Sequence, residues 1–242
     1  MPSRIIDKAF ILAAGLGTRM RPLTDSIPKP LAEITGNTLL SRTLDHLKTA
    51  DIKECVINTH HLAEKIPQHL GTRTTPKITY SHEPVLLDTG GGIKKMLHFF
   101  KENPFYVLSG DGLWTNKANK NTLSQMNAEW DDTKMDILIL LQPVETMILT
   151  KGVGDYDITP DGRARRSKNK SGTHMFTSMR INHPRIFDNT PDNAFSYLQL
   201  LDKAEEQGKL YAMEHEGDWH HLSTLNDLNA VNAAFAKTPN TP

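Results

Sequence analysis

Short apolar runs alternate with longer amphipathic stretches over the first 145 residues. The strand-like runs are residues 9–13, 55–59, 78–81, 106–109 and 136–142. The helical stretches between them are residues 39–50, 62–70, 92–100 and 121–130. Alternation at this spacing predicts an α/β fold, with a largely parallel sheet covered by helices on both faces. Because such sheets bind ligands beyond the carboxyl ends of their strands, the loops after Ala13, Ser81 and Ser109 are the expected binding loops.

The pattern changes after Leu149, where turn-forming residues become frequent and residues 159–162 read Thr-Pro-Asp-Gly. That tetrapeptide predicts a tight turn between two strands. Further along the chain we predict a strand, a helix, a strand and a final helix, at residues 175–181, 196–207, 210–214 and 224–236. Thr224 and Asp227 have the spacing of a capping box at the start of the last helix. Since no linker separates the two parts, we expect one domain over 1–242, with a core of 1–145 and a smaller lobe of 146–242.

Composition excludes several classes of protein. The 242 residues carry 28 Lys and Arg against 28 Asp and Glu, which argues against a surface built to coat nucleic acid. The single cysteine, Cys55, cannot form an internal disulfide or a cysteine-based zinc site. The longest aliphatic run, residues 137–141, is far too short to span a membrane, so we expect no membrane association. The short apolar run near the start leads into a glycine loop rather than a processing site, which favours a cytoplasmic protein.

The loop after the first strand carries the strongest chemical signal. Gly15 and Gly17 allow a tight turn with bare backbone beside a ligand, and its N–H groups can cradle phosphate oxygens. Arg19 and Arg21 add guanidinium groups suited to phosphate. Lys29 stands between two prolines, which stiffen the chain and position its ammonium for a fixed anion. The loop lacks the third glycine of a dinucleotide fingerprint and the Gly-Lys-Ser/Thr of a Walker A loop.

This stretch resembles the signature of the sugar-1-phosphate nucleotidyltransferases, L-A-A-G-x-G-T-R-x-x-P-L-T followed by P-K-P. It matches in full over residues 12–24 and 28–30, and the likeness continues through 88–93, 109–111 and 219–224. The likeness is greatest to a short bacterial branch without a C-terminal β-helix, which includes N-acetylmuramate-1-phosphate uridylyltransferases and mannose-1-phosphate guanylyltransferases. It implies a three-layer, Rossmann-like fold of the nucleotide-diphospho-sugar transferase type, with a mostly parallel mixed sheet. It also makes residues 1–145 the nucleotide-binding core, and residues 146–242 the sugar-phosphate-binding lobe with the C-terminal helix.

The resemblance implies an enzyme that joins a sugar-1-phosphate to a nucleoside triphosphate, with UTP favoured, and releases pyrophosphate. Its catalytic residues would be Arg19, Lys29 and Asp111, with Arg19 on the triphosphate, Lys29 on the α-phosphate and Asp111 on Mg²⁺. A second set of residues would bind the nucleotide: Leu12, Ala13, Ala14, Gly15, Gly17, Thr18, Glu83, Thr89, Gly90 and Gly91. Glu83, a single carboxylate before a proline, has a solvated loop residue as its alternative interpretation.

Two positions depart from the family pattern. His221 stands where relatives carry a second magnesium-binding aspartate, and imidazole suits transition metals better than Mg²⁺. Three alternatives follow for the metal site. It uses one carboxylate with phosphate oxygens and water, which we favour, or it prefers Mn²⁺ or Co²⁺, or the enzyme is impaired. A purely structural histidine is the remaining interpretation of His221. The resemblance also implies that Thr177 and Ser178 bind the sugar phosphate. Ser178 replaces a glycine beside this expected pocket, which leaves the sugar unidentified.

Other polar runs favour plainer interpretations. The basic run at residues 163–170 is typical of a solvated loop, although it could steer an anionic acceptor. His60 and His61 have no cysteine or acidic partner at metal-binding spacing, so we interpret them as loop residues. The functional alternative to the enzyme is a regulatory protein that binds a nucleotide or nucleotide sugar on the same fold, with weak or no catalysis. His221 favours that alternative, whereas intact Arg19, Lys29 and Asp111 oppose it.

Overall fold

The strands and helices alternate along the chain as the sequence predicts, in a computed structural model that describes residues 5–118 and 120–237. The strands are β1 Lys8–Leu12, β2 Glu33–Ile34, β3 Asn37–Thr38, β4 Glu54–Thr59, β5 Lys77–His82, β6 Phe105–Ser109, β7 Leu113–Trp114, β8 Ile137–Pro143, β9 Tyr156–Ile158, β10 Ala164–Arg166, β11 His174–Asn182, β12 Leu210–Glu214 and β13 Trp219–His220. The α-helices are α1 Leu23–Ser26, α2 Leu39–Thr49, α3 Lys65–Leu70, α4 Asp88–Lys95, α5 Leu97–Phe100, α6 Thr122–Glu129, α7 Leu198–Glu206 and α8 Leu225–Phe235.

One mixed sheet organises the molecule. Strands β5, β4, β1 and β6 neighbour one another in that order and run parallel. Strand β11 lies between β6 and β8 and is antiparallel to both. Strand β12 pairs with the other edge of β8 and is parallel to it. Strands β9 and β10 extend the sheet from the free part of β11. The mostly parallel mixed sheet is therefore confirmed, and it contains strands from both 1–145 and 146–242.

The two faces of the sheet are covered by different helices. In β1, Ala9 and Ile11 pack in a core with residues of α2 and α6, whereas Phe10 packs in a second core with residues of α4 and α7. All three side chains are fully buried. Alternation of successive side chains between the faces follows from strand geometry, and burial on both sides explains why β1 reads as a continuous apolar run.

Element boundaries differ from the prediction in one instructive place. The helix predicted at residues 92–100 begins earlier, at Asp88, and is divided into α4 and α5 at Met96. The sequence pattern does not predict the first turn of α4, because it contains three consecutive glycines and glycine is unfavourable inside a helix. Each of these glycines is buried, so packing overrides the propensity.

The last helix begins as the sequence predicts. The Thr224 hydroxyl accepts a hydrogen bond from the backbone N–H of Asp227, and the Asp227 carboxylate accepts one in return from the N–H of Thr224. This capping box is confirmed. The Asp227 carboxylate also accepts from the N–H of Ser223, so it ties the preceding loop to the helix.

The basic run at residues 163–170 pairs with nearby acids. Arg166 bonds Asp202 at 2.8 Å, and Lys170 bonds Asp155 at 2.5 Å. These local partners fit the solvated-loop interpretation better than a role in steering substrate. Among the described residues, no helix combines the length and apolar character needed to cross a membrane.

Candidate active site

A cleft of about 500 Å³ opens at the carboxyl ends of β1, β4 and β6. It lies where the sheet topology places ligands in open α/β folds. Twelve of the predicted site residues are in its wall: Leu12, Ala13, Ala14, Gly15, Gly17, Thr18, Arg19, Lys29, Glu83, Thr89, Asp111 and Ser178. The remaining four, Gly90, Gly91, Thr177 and His221, are outside this lining.

The loop after β1 turns sharply at Gly17, where the backbone is left-handed, with φ at 63°. A Cβ atom at this position would lie 2.8 Å from Cγ2 of Thr24, so the turn leaves room only for glycine. The Thr24 hydroxyl donates a 2.8 Å hydrogen bond to the Gly17 carbonyl and fixes the turn. By contrast, a Cβ at Gly15 would meet nothing within 4 Å. The open side of the loop therefore faces space that a ligand could fill.

Lys29 and Asp111 meet inside the cleft. Nζ of Lys29 lies 2.5 Å from Oδ2 of Asp111, and the Ser109 hydroxyl donates to Oδ1. Burial alone would raise the pKa of the Asp111 carboxyl, but the charge and hydrogen bond of Lys29, with the Ser109 hydroxyl, hold it below its ordinary value. Asp111 is therefore an ionised carboxylate at neutral pH. A bound phosphate would compete with it for the Lys29 ammonium.

Arg19 is the unengaged cation of the loop. Its side chain is exposed and forms no salt bridge or side-chain hydrogen bond within residues 5–118 and 120–237. It therefore remains available to an anion in the cleft. Arg21, the other arginine of the loop, pairs with Asp25 at 3.1 Å and is absent from the cleft wall.

A buried hydrogen-bond chain links three parallel strands at the base of the cleft. The Ala13 N–H donates to Oδ1 of Asn58 at 2.7 Å, and Nδ2 of Asn58 donates to Oε1 of Glu83 at 2.8 Å. The N–H of Leu87 donates to the other oxygen of Glu83 at 3.0 Å. The solvated-loop interpretation of Glu83 is wrong, because its side chain is fully buried. Sequence reasoning missed Asn58, whose only signal is a polar residue near the end of an apolar strand.

The glycines of α4 serve close packing. A Cβ at Gly90 would collide with the Phe195 ring, and one at Gly91 would lie 2.8 Å from the Asn193 carbonyl oxygen. The N–H groups of both glycines point to the Phe195 carbonyl. The space beside the Cα atoms of Gly90 and Gly91 is therefore filled by other residues of the protein. Contact of either glycine with a nucleotide stays a prediction.

His221 is placed near the phosphate-facing cations by a short strand pair. Strand β13 pairs with β7, so the loop that carries His221 returns beside the loop that carries Asp111. Burial, Lys29 and Arg19 together lower the pKa of His221, against the opposing effect of Asp111. The imidazole is consequently neutral at pH 7. The backbone N–H of His221 donates to the Thr150 hydroxyl at 2.8 Å.

The described residues contain no cluster of three or more His, Cys, Asp or Glu side chains that could hold a metal ion. Asp111 is an ionised oxygen donor inside the cleft, whereas Asp227 is committed to the cap of α8. This donor set fits Mg²⁺, which usually keeps several waters and takes other ligands from substrate phosphates. One ionised carboxylate is therefore compatible with a Mg²⁺ ion whose other ligands would be water and phosphate oxygens.

The cleft wall at Ser178 belongs to a distorted strand. Ser178 has φ at 67°, in the left-handed region, and the register of β11 shifts between Phe176 and Arg180. Thr177 is buried, and its hydroxyl donates to the Leu140 carbonyl at 2.8 Å. Ser178 is therefore available to a sugar phosphate, whereas the Thr177 hydroxyl is already used by the fold.

The chain matches known nucleotidyltransferases over nearly its whole length. The Nucleotidyl transferase family matches residues 8–148, more than half of the chain. The N-acetylmuramate alpha-1-phosphate uridylyltransferase of Caulobacter vibrioides is 33% identical, covering 95% of this chain and 97% of that protein. The enzyme of the same name from Neisseria meningitidis is 31% identical, covering 93% and 97%.

A structural relative shares the fold. A UTP-bound UGPase from Acinetobacter baumannii superposes with a TM-score of 0.79 over 97% of this chain and 95% of that chain, at 18% identity. An identity this low supports the architecture alone. Together with the family match and the full-length relatives, these findings show that the chain belongs to the Nucleotidyl transferase family.

Proposed function

We propose that this protein transfers a uridylyl group from UTP to a sugar-1-phosphate, with N-acetylmuramate α-1-phosphate as the leading acceptor. The products are a UDP-sugar and pyrophosphate. The observation that carries the proposal is the convergence of Arg19, Lys29 and Asp111 on one cleft beside the glycine loop. Full-length relatives named as N-acetylmuramate alpha-1-phosphate uridylyltransferases support both the base and the sugar.

The reaction requires in-line attack of a sugar-phosphate oxygen on the α-phosphorus of UTP. The new P–O bond forms as the bond to the β-phosphate oxygen breaks, and the electron pair leaves with pyrophosphate. Charge accumulates on phosphoryl oxygens, so catalysis depends on positioned cations. Lys29 would exchange its contact with Asp111 for the α-phosphate, and the free guanidinium of Arg19 would hold the β- and γ-phosphates.

The family generally uses a divalent metal ion. We assign Mg²⁺ to this protein, with Asp111 as its protein ligand and neutral His221 as a second donor when a softer ion such as Mn²⁺ is present. The ion would neutralise charge on the triphosphate. Asp111 is prepared for this role, since Lys29 and Ser109 keep its carboxyl ionised.

Different parts of the cleft would bind different groups of the two substrates. Strand order places Asn58 and Glu83 on one side of β1, and β6 with β11 on the other. We therefore assign the base and ribose to the Glu83 side, the triphosphate to the glycine loop, and the sugar phosphate to the Ser178 side. On this assignment residues 1–145 form the nucleotide-binding core and residues 146–242 the sugar-phosphate lobe.

A cytoplasmic location fits this reaction. UTP is a cytoplasmic substrate, and Cys55 is a buried free thiol, as expected in a reducing compartment. Immunodetection after cell fractionation checks the location. Recovery from an extracytoplasmic fraction would contradict it.

A pyrophosphate-release assay over a panel of substrates tests the function. UTP and GTP are each paired with the 1-phosphates of N-acetylmuramate, glucose, mannose and heptose, with Mg²⁺ or Mn²⁺. We expect the largest kcat/KM for UTP with N-acetylmuramate α-1-phosphate. If nucleotide binds but no pair releases pyrophosphate, the protein is instead a nucleotide-binding regulator on this fold.

A further inference from the structure

Arg180 is a buried cation that the proposed chemistry does not use. Its side chain is in β11, and the residue is only 2% exposed. Nη1 donates to the Ser178 carbonyl at 3.0 Å, and the guanidinium carbon lies 3.7 Å from the centre of the Tyr197 ring. Nε and Nη2 are buried without a hydrogen-bond partner, and no carboxylate of the described residues forms an ion pair with this side chain.

Fold stability gives no reason for this arrangement. Desolvation makes an uncompensated buried charge costly, and a well-packed apolar residue in its place is often neutral or stabilising. The Tyr197 ring offsets part of that cost through a cation–π contact. Two nitrogen atoms of the guanidinium nevertheless remain unsatisfied. The hydrogen bond from Nη1 to the Ser178 carbonyl is therefore the feature of Arg180 that stability does not explain.

Ser178 is a cleft residue in a backbone conformation that serine disfavours. Its φ of 67° lies in the left-handed region, and it sits at the register shift of β11. A non-glycine residue keeps such a conformation when the surrounding structure holds it there. The hydrogen bond from Arg180 is made to the carbonyl of this same residue. The guanidinium thus fixes the bulge that faces the cleft.

The same side chain is connected to the opposite wall. The ring beneath Arg180 belongs to Tyr197, whose backbone N–H donates to the Thr89 hydroxyl at 2.9 Å. The Tyr197 hydroxyl donates to Asn182 at 2.5 Å, which anchors the ring to β11. Thr89 and Ser178 both line the cleft. Arg180 and Tyr197 therefore form a brace between α4 and β11, which is buried at Arg180 and reaches the surface at Thr89.

We propose that Arg180 is a positioning residue that fixes the Ser178 bulge and thereby shapes the subsite for the sugar-1-phosphate. This inference rests on the proposed function, which assigns the Ser178 side of the cleft to that substrate. Arg180 acts through Ser178 and does not itself contact the substrate. Its removal should therefore weaken recognition of the sugar-1-phosphate more than that of UTP.

A double-mutant cycle of Arg180 and Ser178 tests whether Arg180 acts through the Ser178 backbone. Glycine adopts the left-handed conformation without strain, so a glycine at position 178 needs no clamp. We expect Arg180→Met to raise KM for the sugar-1-phosphate about tenfold when Ser178 is present, with KM for UTP changed less than about threefold. In the Ser178→Gly background the same change should alter KM for the sugar-1-phosphate less than about twofold. Arg180→Lys, which keeps a donor and a cation, should lie between Met and the wild type.

The control is Arg185→Met. Arg185 is a partly buried arginine that donates to the Asp136 carboxylate and to the backbone carbonyls of Asp132 and Met135, and none of these residues lines the cleft. It should lower the melting temperature and leave both KM values unchanged. Arg180→Met should leave the melting temperature near that of the wild type. Equal changes in both KM values, or the same effect of Arg180→Met in the serine and glycine backgrounds, would overturn the inference.

Binding separates this inference from the proposed reaction. Calorimetric titration of the four cycle variants with UDP-N-acetylmuramate and with UTP requires no turnover. We expect Arg180→Met to weaken UDP-N-acetylmuramate binding in the serine background only, with UTP affinity preserved. Loss of affinity for both ligands would overturn the role of Arg180, whereas an inactive wild type with the expected binding cycle would contradict the reaction alone.

Discussion

The contact between Lys29 and Asp111 prepares both side chains for charged ligands. Lys29 helps to keep the Asp111 carboxyl ionised, because its ammonium lies 2.5 Å from Oδ2 of that carboxylate and lowers the pKa of Asp111. The pair is partly exposed, so it contributes little to stability and is better understood as a binding arrangement. Arg19 has no such partner among the described residues, so its guanidinium could contact an anion without first breaking an ion pair.

Replacement of Asp111 by Asn removes charge with little change in shape. We expect kcat to fall by a factor of about 30 to 1,000, since preorganised charge contributes about 2–4 kcal/mol to transition-state stabilisation. Steady-state kinetics with saturating Mg²⁺ measure this. The matched control is Glu216→Gln, which neutralises a surface carboxylate bonded to Lys120 and should leave kcat unchanged. A near-wild-type kcat for Asp111→Asn would refute its role.

His221 should influence the choice of metal. Its neutral imidazole lies near Lys29 and Arg19, which both lower its pKa. We expect His221→Ala to lower turnover with Mn²⁺ more than with Mg²⁺, because imidazole favours softer ions. His221→Asp should instead raise the Mg²⁺ rate relative to the Mn²⁺ rate. Unchanged rates with both metals in both variants would assign His221 a structural role.

At the scale of secondary structure, the site depends on short connections between long elements. The β7–β13 pair returns the His221 loop to the Asp111 loop, and the capping box of α8 holds residues 223–224 at the cleft, where Ser223 forms part of the wall. Helix α8 thus stabilises an edge of the site.

Two helix caps allow this coupling to be measured. Thr224→Ala and Asn121→Ala each remove an N-cap side chain, at α8 and α6 respectively. Each should reduce the free energy of unfolding by about 1 kcal/mol. Only Thr224→Ala should also lower kcat/KM, because α6 lies outside the cleft wall. Equal kcat/KM in the two variants would show that the α8 cap does not support the site.

For the whole molecule, buried histidines should set the response to mild acid. Burial is the main cause that lowers the pKa values of His183, His215, His220 and His221, and it lowers the pKa of His46 to about 4. An unfolded histidine takes up a proton below about pH 6.5. Between pH 6.5 and 4 the unfolded chain therefore binds more protons than the folded one, and stability falls as the pH falls.

His46→Phe should weaken this pH dependence. His46 stacks on Trp114 at 4.2 Å, and phenylalanine keeps a ring there without a titratable group. One such histidine contributes at most about 1.4 kcal/mol per pH unit to the slope. Chemical denaturation from pH 7 to 4 measures it. An unchanged slope in His46→Phe would mean that the pKa of His46 is the same in the folded and the unfolded chain.

The sequence predicts the sheet, the glycine loop and the candidate residues Arg19, Lys29 and Asp111, because each lies in a contiguous apolar run or motif. It cannot predict the brace, because Tyr197 and Thr89 are separated by 108 positions. The role of Asn58 cannot be predicted for the same reason, since its hydrogen-bond partner Ala13 lies 45 positions away in the sequence. Glu83 is likewise buried because α4 and β4 pack around it. The neighbouring Pro84, which is the local sequence signal, gives no indication of that packing.

The most direct test of the account follows the α-phosphorus of UTP. With wild-type protein, Mg²⁺ and N-acetylmuramate α-1-phosphate, label at that phosphorus should move into a UDP-sugar, with one pyrophosphate released for each product. Lys29→Ala should slow this transfer at least about 100-fold while the protein remains folded. Binding of UTP without label transfer to any sugar-1-phosphate, with Mg²⁺ or Mn²⁺, would contradict the account.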